Sequence, residues 1–228
     1  MPQTATTFHH HIAANFADKY RTHPAFHERY AVWTALLDEY IAPGQQVLDL
    51  GCGSGVFSFY LAQKGCFVTG LDGAENMVAL CQAEQQKLGL SNLNFHCQNL
   101  PLESQNLLDQ QDAIISSSVL EYVNELPAVL QNVSDLLPPG GIFIASMPNR
   151  SSVYRWLERV VFRLTGRPAY YRFVRHVVTE AAFTQQMAAY GFRLKTTRYY
   201  AGNRWLRAIL PKRMSDNLFV SVFEKTKI

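Results

Sequence analysis

A chain of 228 residues with 48% hydrophobic and 17% charged content can bury a substantial core and is too apolar for a disordered segment. A net charge of +3 excludes strong polyanionic or polycationic character and says little about partners, so the distribution of charge matters more than its sum. Cys52, Cys66, Cys81 and Cys97 show no C-x-x-C spacing and lie on or beside apolar segments, the pattern of reduced, packed thiols and not of a zinc site or disulfide framework. No apolar run preceded by basic residues opens the sequence, and no stretch is long enough to span a bilayer. A cytoplasmic chain is expected, at most peripheral on the inner face of a membrane.

In chain order, Met1 to Thr7 reads as a loose tail, and the consecutive side chains of His9, His10 and His11 diverge, which disfavours a shared metal. Ile12 to Tyr40 is helical in pattern, with Phe16, Tyr20, Phe26, Tyr30, Trp33, Leu36, Leu37 and Tyr40 spread over two stretches broken near Pro24. Pro43 and Gly44 turn the chain into VLDLGCGSGVFSFYLAQKGCFVTGLD, Val47 to Asp72, which reads as strand, glycine-rich turn, helix and strand. Val47, Leu48 and Leu50 form the short apolar run of a strand buried on both faces of a parallel sheet. Gly51, Gly53 and Gly55 let the backbone turn tightly and approach a ligand. A helix over roughly Val56 to Lys64 ends at Gly65, and Cys66 to Leu71 is the second strand. Asp72 sits at its carboxyl end, where open α/β sheets bind their ligands.

The spacing of the turn selects the ligand. A dinucleotide site requires G-x-G-x-x-G, but this turn reads G-x-G-x-G and Val56 occupies the place of the third glycine. Asp49, just before the turn, would oppose a pyrophosphate and favour a positively charged, phosphate-free ligand. S-Adenosylmethionine (SAM) meets that description, with an ammonium, a sulfonium and a ribose diol from which Asp72 can accept in bidentate fashion. DLGCGSG followed by GLD resembles the first two motifs of the class I SAM-dependent methyltransferases. The resemblance implies SAM as cofactor and a Rossmann-like α/β fold. Its sheet would be seven-stranded and mostly parallel, with helices on both faces and an antiparallel last strand.

Ala74 to Leu88 is the next helix, in which Met77 lies either against the adenine ring, as a thioether suits an aromatic face, or in the core. Leu93 to Cys97 is the third strand, followed by Gln98, Asn99 and Leu100. Many class I enzymes carry Asp here to hold the adenine amino group; the carbonyl oxygen of Asn99 can accept the same bond, with Leu100 beside it on the cofactor side. Pro101 to Gln111 reads as a polar loop or frayed helix, and Asp112 to Ser116 as the fourth strand. SSVLEYV, Ser117 to Val123, then leads to the substrate side, with Ser117 nearest the cofactor. An amphipathic helix over Asn124 to Leu137, the breaker PPGG and a fifth strand over Ile142 to Met147 follow, and PPGG resembles a third family motif.

A closer resemblance lies in SVLEYV, Ser118 to Val123, which is similar to the E-x-x-E-H-V segment of the ubiquinone-biosynthesis O-methyltransferases. Glu121 matches the second acid, while Ser118 and Tyr122 replace the first acid and the histidine. That acid–acid–histidine set is associated in the family with a divalent metal, and one carboxylate is a poor start for a hard cation, so no metal is expected. The same resemblance places Arg29 where a basic residue contacts the SAM carboxylate, which suits a bidentate guanidinium; a surface arginine is the alternative. The sulfonium methyl is already activated, so the protein chiefly has to place the acceptor. A phenolic acceptor, with a pKa of about 10, must also lose a proton. Glu121 and His176 are the candidate bases, against the alternatives of a solvated first-turn acid and a surface histidine.

Arg150 to Arg175 interrupts the core pattern. On a helix, Val153, Leu157, Val160, Val161 and Leu164 share one face with Trp156 at its edge, while Arg155, Arg159 and Arg163 line another; Phe162 falls on the wrong side. Arg167, Arg172 and Arg175 follow among Tyr170, Tyr171 and Phe173. Such a segment suits an anionic membrane surface over residues 150–175, and it resembles the insertion with which the ubiquinone O-methyltransferases reach lipid-soluble substrates. The alternative is a capping helix with a solvated charged face. Thr179 to Tyr190 is a helix capped by Thr179 and Gly191, Phe192 to Tyr199 a strand, Arg204 to Arg213 part of a basic, aromatic loop, and Asn217 to Glu224 the last strand. One domain is expected, with a helical cap over residues 1–42, the SAM core over 43–148, the insertion over 150–177 and a helix with hairpin over 178–228. Its expected activity is SAM-dependent methylation of a hydrophobic small molecule, most concretely a lipid-soluble ring hydroxyl such as a quinone precursor. The other readings are a tetrapyrrole or specialised metabolite as acceptor, or a non-catalytic SAM-binding membrane adaptor. No nucleic acid is expected, because the fourth strand does not end in a D/N-P-P-aromatic motif.

Overall fold

Short apolar runs punctuated by glycine and proline become the strands of one sheet, and the longer periodic stretches become the helices that cover it. The computed structural model describes residues 24–103 and 109–227. The histidine run, the helical stretch beginning at Ile12 and the middle of the Pro101 to Gln111 loop lie outside the described residues. In chain order the first half holds α1 (Pro24–Tyr40), β1 (Gln46–Leu50), α2 (Val56–Gln63), β2 (Phe67–Asp72), α3 (Glu75–Leu88), β3 (Leu93–Cys97) and β4 (Ala113–Ser116). The second half holds α4 (Leu126–Leu136), β5 (Ile142–Pro148), α5 (Val153–Thr165), a 3-10 turn (Ala169–Phe173), α6 (Glu180–Ala188), β6 (Phe192–Gly202), α7 (Arg204–Ile209), α8 (Lys212–Ser215) and β7 (Asp216–Lys225).

The seven strands lie in the order β3-β2-β1-β4-β5-β7-β6. The first five pair in parallel, and β7 inserts antiparallel between β5 and β6. Strand order reverses between β1 and β4, which opens a crevice at their carboxyl ends. Strands β1 and β4 are almost wholly buried, as their unbroken apolar runs require. On one face of the sheet, Leu126, Val129, Leu130 and Val133 of α4 pack with Phe183 and Met187 of α6. On the other, Trp33, Leu36 and Leu37 of α1 pack with Phe57 and Leu61 of α2 and Val78 of α3. Cys66 and Cys81 are buried there, Cys52 is half-buried, and Cys97 is exposed at the end of β3.

Over its described length the N-terminal segment is helix α1: Trp33 stacks on Phe57 with centroids 5.0 Å apart and donates through Nε1 to the Tyr200 hydroxyl at 3.4 Å. Trp33 is fully buried, which holds α1 against the sheet. The segment after β6 is not a loop but helices α7 and α8, because the Asn203 side chain caps the first by accepting from the Trp205 and Leu206 amides.

A charge network ties these parts together. Arg207 of α7 donates through Nε to Asp216 Oδ1 and through Nη2 to Glu28 Oε1, both at 2.6 Å, and Glu28 Oε2 accepts from the Ala201 amide at 3.1 Å. The insertion is closed at its base: Asn149 and Val178 bridge in parallel, and the Arg150 amide donates to the Val178 carbonyl at 2.9 Å. Asp216 is fully buried, so losing its guanidinium strands a charge. Arg207→Met should therefore cost about 2–4 kcal/mol of unfolding free energy, measured by urea denaturation, and should loosen α1 as well as α7.

Candidate cofactor and acceptor site

The glycine-rich turn carries the backbone through left-handed conformations that only glycine adopts cheaply, with φ of +72° at Gly51 and +55° at Gly53. A Cβ on Gly51 would strike the Val119 side chain, whereas one on Gly53 would enter open space, the space a ligand would take. The amides of Gly51 and Cys52 donate to the Leu71 carbonyl at 2.7 and 2.9 Å, which fastens the turn to the end of β2. There Asp72 is gripped from both sides. Its Oδ2 accepts from the Gly53 amide and its Oδ1 from the Ala74 amide, each at 2.8 Å. Each oxygen keeps a lone pair for a hydroxyl, which is the acceptor set a vicinal diol needs.

Asp49 is buried at the end of β1, one strand from Asp72. Burial drives its carboxyl up to about 7; the hydrogen bond from Ser58 Oγ at 2.6 Å opposes the shift, the Asp72 charge adds to it and the Arg29 charge opposes it. A buried acid beside a second acid is a place where a positively charged ligand gains most. Arg29 reaches across from α1, donating through Nη2 to the carbonyl and Oγ of Ser117 at 3.0 and 2.6 Å. Met77 is buried with Ala74 at the start of α3, Leu100 packs on the edge of the core and Asn99 is exposed past β3. The Gln98 amide donates to the Asp72 carbonyl at 2.9 Å, so the chain after β3 runs beside Asp72. The fold thus gathers Arg29, Asp49, Gly51, Gly53, Asp72, Met77, Asn99, Leu100 and Ser117 around the carboxyl ends of β1 to β4. These groups fit SAM: a diol acceptor, a buried counter-charge and a guanidinium for a carboxylate.

The acceptor side is built by the Ser117 to Val123 turn and the insertion. Glu121 is buried, and among the described residues its Oε2 has no hydrogen-bond partner. Burial drives its carboxyl up to about 7, against the charges of Arg29 and Arg155. His176 is joined to the same turn: its amide donates to the Glu121 carbonyl at 3.2 Å, and its Nε2 lies 2.9 Å from the Val123 carbonyl. Nε2 must then be the donor, since a carbonyl oxygen only accepts. Burial pushes the Tyr122 hydroxyl far above its ordinary range, with the Glu121 and Tyr170 charges adding to the effect. Ser118 lies in the left-handed region, at φ +59°, a strained conformation in which its amide N–H donates a hydrogen bond to Ser146 Oγ at 2.9 Å. Among the described residues no three His, Cys, Asp or Glu side chains converge.

Sequence reasoning missed Ser58, Arg155, Glu158 and Tyr170. Ser58 had a faint signal, as a small hydroxyl within the apolar run VFSFYLA. The helical wheel puts Arg155 with Arg159 and Arg163 on one charged face, and the structure gives Arg155 partners of its own. Arg155 Nη1 donates to Glu158 Oε2 at 2.6 Å and to the Tyr170 hydroxyl at 3.3 Å, and Tyr170 donates to Glu158 Oε1. Arg155 and Glu158 therefore turn inward while Arg163 stays exposed, and the apolar face looks outward: Trp156 is 62% and Leu164 80% exposed. Phe162, out of place on the helical wheel, packs inward on Tyr171 with centroids 5.0 Å apart.

Asp49 and Glu121 hold protons more tightly in the fold than their ordinary values of 3.8 and 4.5. The folded chain is thus the more protonated state between about pH 4 and about pH 7, and its stability falls as pH rises through that window and levels off above it. Asp49→Asn keeps an acceptor for Ser58 and should flatten that fall, measured by guanidinium melts of the ligand-free protein at about pH 5 and about pH 7.5.

Comparison with known proteins matches this geometry. A family described as a methyltransferase domain matches residues 41–201. The ubiquinone biosynthesis O-methyltransferase of Coxiella burnetii is 36% identical over 110 residues, covering 47% of this chain and 45% of the relative. That of Psychrobacter cryohalolentis is 37% identical over 112 residues, covering 47% and 42%. The chain therefore spans about half the length of the curated relatives it matches. The N-methyltransferase NodS from Bradyrhizobium japonicum, solved with S-adenosyl-L-homocysteine, superposes with a TM-score of 0.72 at 15% identity, covering 99% of this chain and all of that one. Magnesium protoporphyrin IX methyltransferase from Synechocystis, solved with SAM, gives a TM-score of 0.66 at 19% identity, covering 99% of each. At such identities the structural likeness speaks for the fold, and the family match for the chemistry. With the glycine turn, the gripped Asp72 and the buried Asp49 all in place, this chain belongs to the methyltransferase-domain family.

Proposed function

We propose that this chain is a class I SAM-dependent methyltransferase that acts on a hydrophobic small molecule and methylates the hydroxyl of a lipid-soluble ring such as a quinone precursor. The observation that carries the reading is Glu121: a buried carboxylate with an oxygen unpartnered among the described residues, raised to about 7, on the turn that faces the insertion. A phenol gives up its proton readily only to a base of this kind, desolvated and half-ionised near neutrality. SAM, when bound, supplies a methyl group on a positively charged sulfur, so no further activation of the donor is needed. Asp72 would hold its ribose hydroxyls, Asp49 would face its positive charge, and Arg29 would meet its carboxylate. His176 acts as a positioning residue, since its ring and amide tie the insertion to the Glu121 turn. Tyr122 and Tyr170 supply flat, apolar walls suited to a ring.

Two further facts support a lipid-soluble acceptor. The curated relatives named above are O-methyltransferases of ubiquinone biosynthesis, and their match covers 47% of this chain. The outward face of α5, with Trp156, Leu157 and Leu164, is joined by Trp205 and Ile209 of α7, 81% and 77% exposed, and both helices contact α8. Apolar side chains flanked by arginines suit an anionic bilayer surface from which such an acceptor could be drawn. Among the described residues no helix is long and apolar enough to cross a membrane.

Titration calorimetry tests the donor site. Asp72→Ala should weaken SAM binding by about a hundredfold or more, as expected for two charge-assisted hydrogen bonds of roughly 1.5 kcal/mol each. Transfer from labelled SAM to a panel of lipid-soluble phenols tests the acceptor. There Glu121→Gln should lower kcat by about 10²- to 10⁴-fold while leaving SAM affinity in place. An unchanged kcat would remove Glu121 as base, and labelling of RNA instead of phenols would overturn the small-molecule reading.

A further inference from the structure

The inward turn of α5 and the 3-10 turn after it create a second concavity, apart from the donor notch. It is a cleft of about 460 Å³ into which Arg150, Arg159, Arg163, Arg172 and Arg175 all project, with no carboxylate among its lining residues. Among the described residues none of these arginines forms an ion pair; the pairs present involve Lys64, Lys87, Arg155, Arg193, Lys195 and Arg207. Glu158, the one acid of α5, is already committed to Arg155 and Tyr170.

The floor tethers two of the guanidinium groups, those of Arg159 and Arg172. Phe162 and Tyr171 pack together beneath them, Arg159 Nε donates to the Tyr171 hydroxyl at 3.5 Å, and Arg172 Nε donates to the Ala169 carbonyl at 3.1 Å while lying over the Phe173 ring. Five like charges around one concavity repel each other, and a multiply charged anion reverses the sign of that interaction. Guanidinium forks match the oxygens of a phosphoryl group in pairs, and aromatic and apolar walls reduce competition from water.

We propose that this arginine cleft is a binding site for a phosphoryl or diphosphoryl oxyanion. The group can come from an anionic phospholipid headgroup, since the same helix exposes Trp156 and Leu164, or from a free phosphorylated compound. The site shares no residue with the donor notch, and it stands whether or not the acceptor is a phenol.

The test uses inorganic pyrophosphate in titration calorimetry and sedimentation with phosphatidylcholine vesicles, with and without phosphatidylglycerol. Saturable pyrophosphate binding is expected, weakened about tenfold or more in Arg163→Glu combined with Arg172→Glu. The equally charge-reversed pair Lys87→Glu with Arg198→Glu, remote from the cleft, should bind as the parent does. Retention on phosphatidylglycerol vesicles that is lost in the cleft variant identifies the headgroup as the source. Pyrophosphate binding without such retention identifies a soluble ligand. Unchanged SAM affinity in the variant shows that the fold is intact; if the reversal unfolds the chain, Arg163→Ala with Arg172→Ala gives the same reading. Absence of both pyrophosphate and vesicle binding, or binding equally strong in the cleft variants, would overturn the site.

Discussion

Two backbone amides, one from the glycine turn and one from the start of α3, close on the carboxylate of Asp72, and the cofactor end of the molecule follows from that grip. To bring the Gly53 amide to Asp72, the turn must pass through left-handed backbone at Gly51 and Gly53, and it must lie flat against the end of β2. The cost of that conformation is met by glycine, and the reward is an acceptor pair with fixed direction. Asp49, one strand away, is held back from ionising chiefly by its burial, and the fixed charge of Asp72 adds to the effect until a positive ligand arrives. The site is preorganised for a cation by the discomfort of two neighbouring acids.

That arrangement was legible from residues because it is local. The G-x-G-x-G spacing, the absence of a third glycine at Val56, and acids at positions 49 and 72 all fall within one strand–turn–helix–strand unit. The parallel order of β1 to β5 followed from the same regularity, with ends displaced by a residue or two, as at Leu126 where α4 begins after Glu125. Arg29 was placed by likeness to a family and Ser117 by its position after the fourth strand; 88 residues apart, they meet in a hydrogen bond because Trp33 and Glu28 fix α1 against the sheet.

What pattern alone did not convey was which face of α5 looks inward. A helical wheel separates apolar from charged residues but does not say which set has a partner waiting. Here Tyr170 follows twelve residues after Glu158 and folds back on it, so that a buried acid, an arginine and a phenol outcompete the burial of leucine and valine. The consequence is an exposed apolar stripe on one side and a concentration of unpaired guanidinium groups on the other. Neither feature could be read from hydrophobic periodicity, because both depend on a turn that comes later in the chain. The same holds for α7 and α8, where a single asparagine cap converts an expected loop into helix.

The bridge between Asn149 and Val178 means that everything from Arg150 to Val177 leaves the sheet and returns to it at one point. Such a pedicel makes the intervening segment a cassette: its length and chemistry can drift, or be exchanged between relatives, without altering the register of β5 or the seating of α6. Diversification of acceptors on this scaffold would then proceed by renovation of one appendage, while the donor end, bound by the demands of Asp72, stays still.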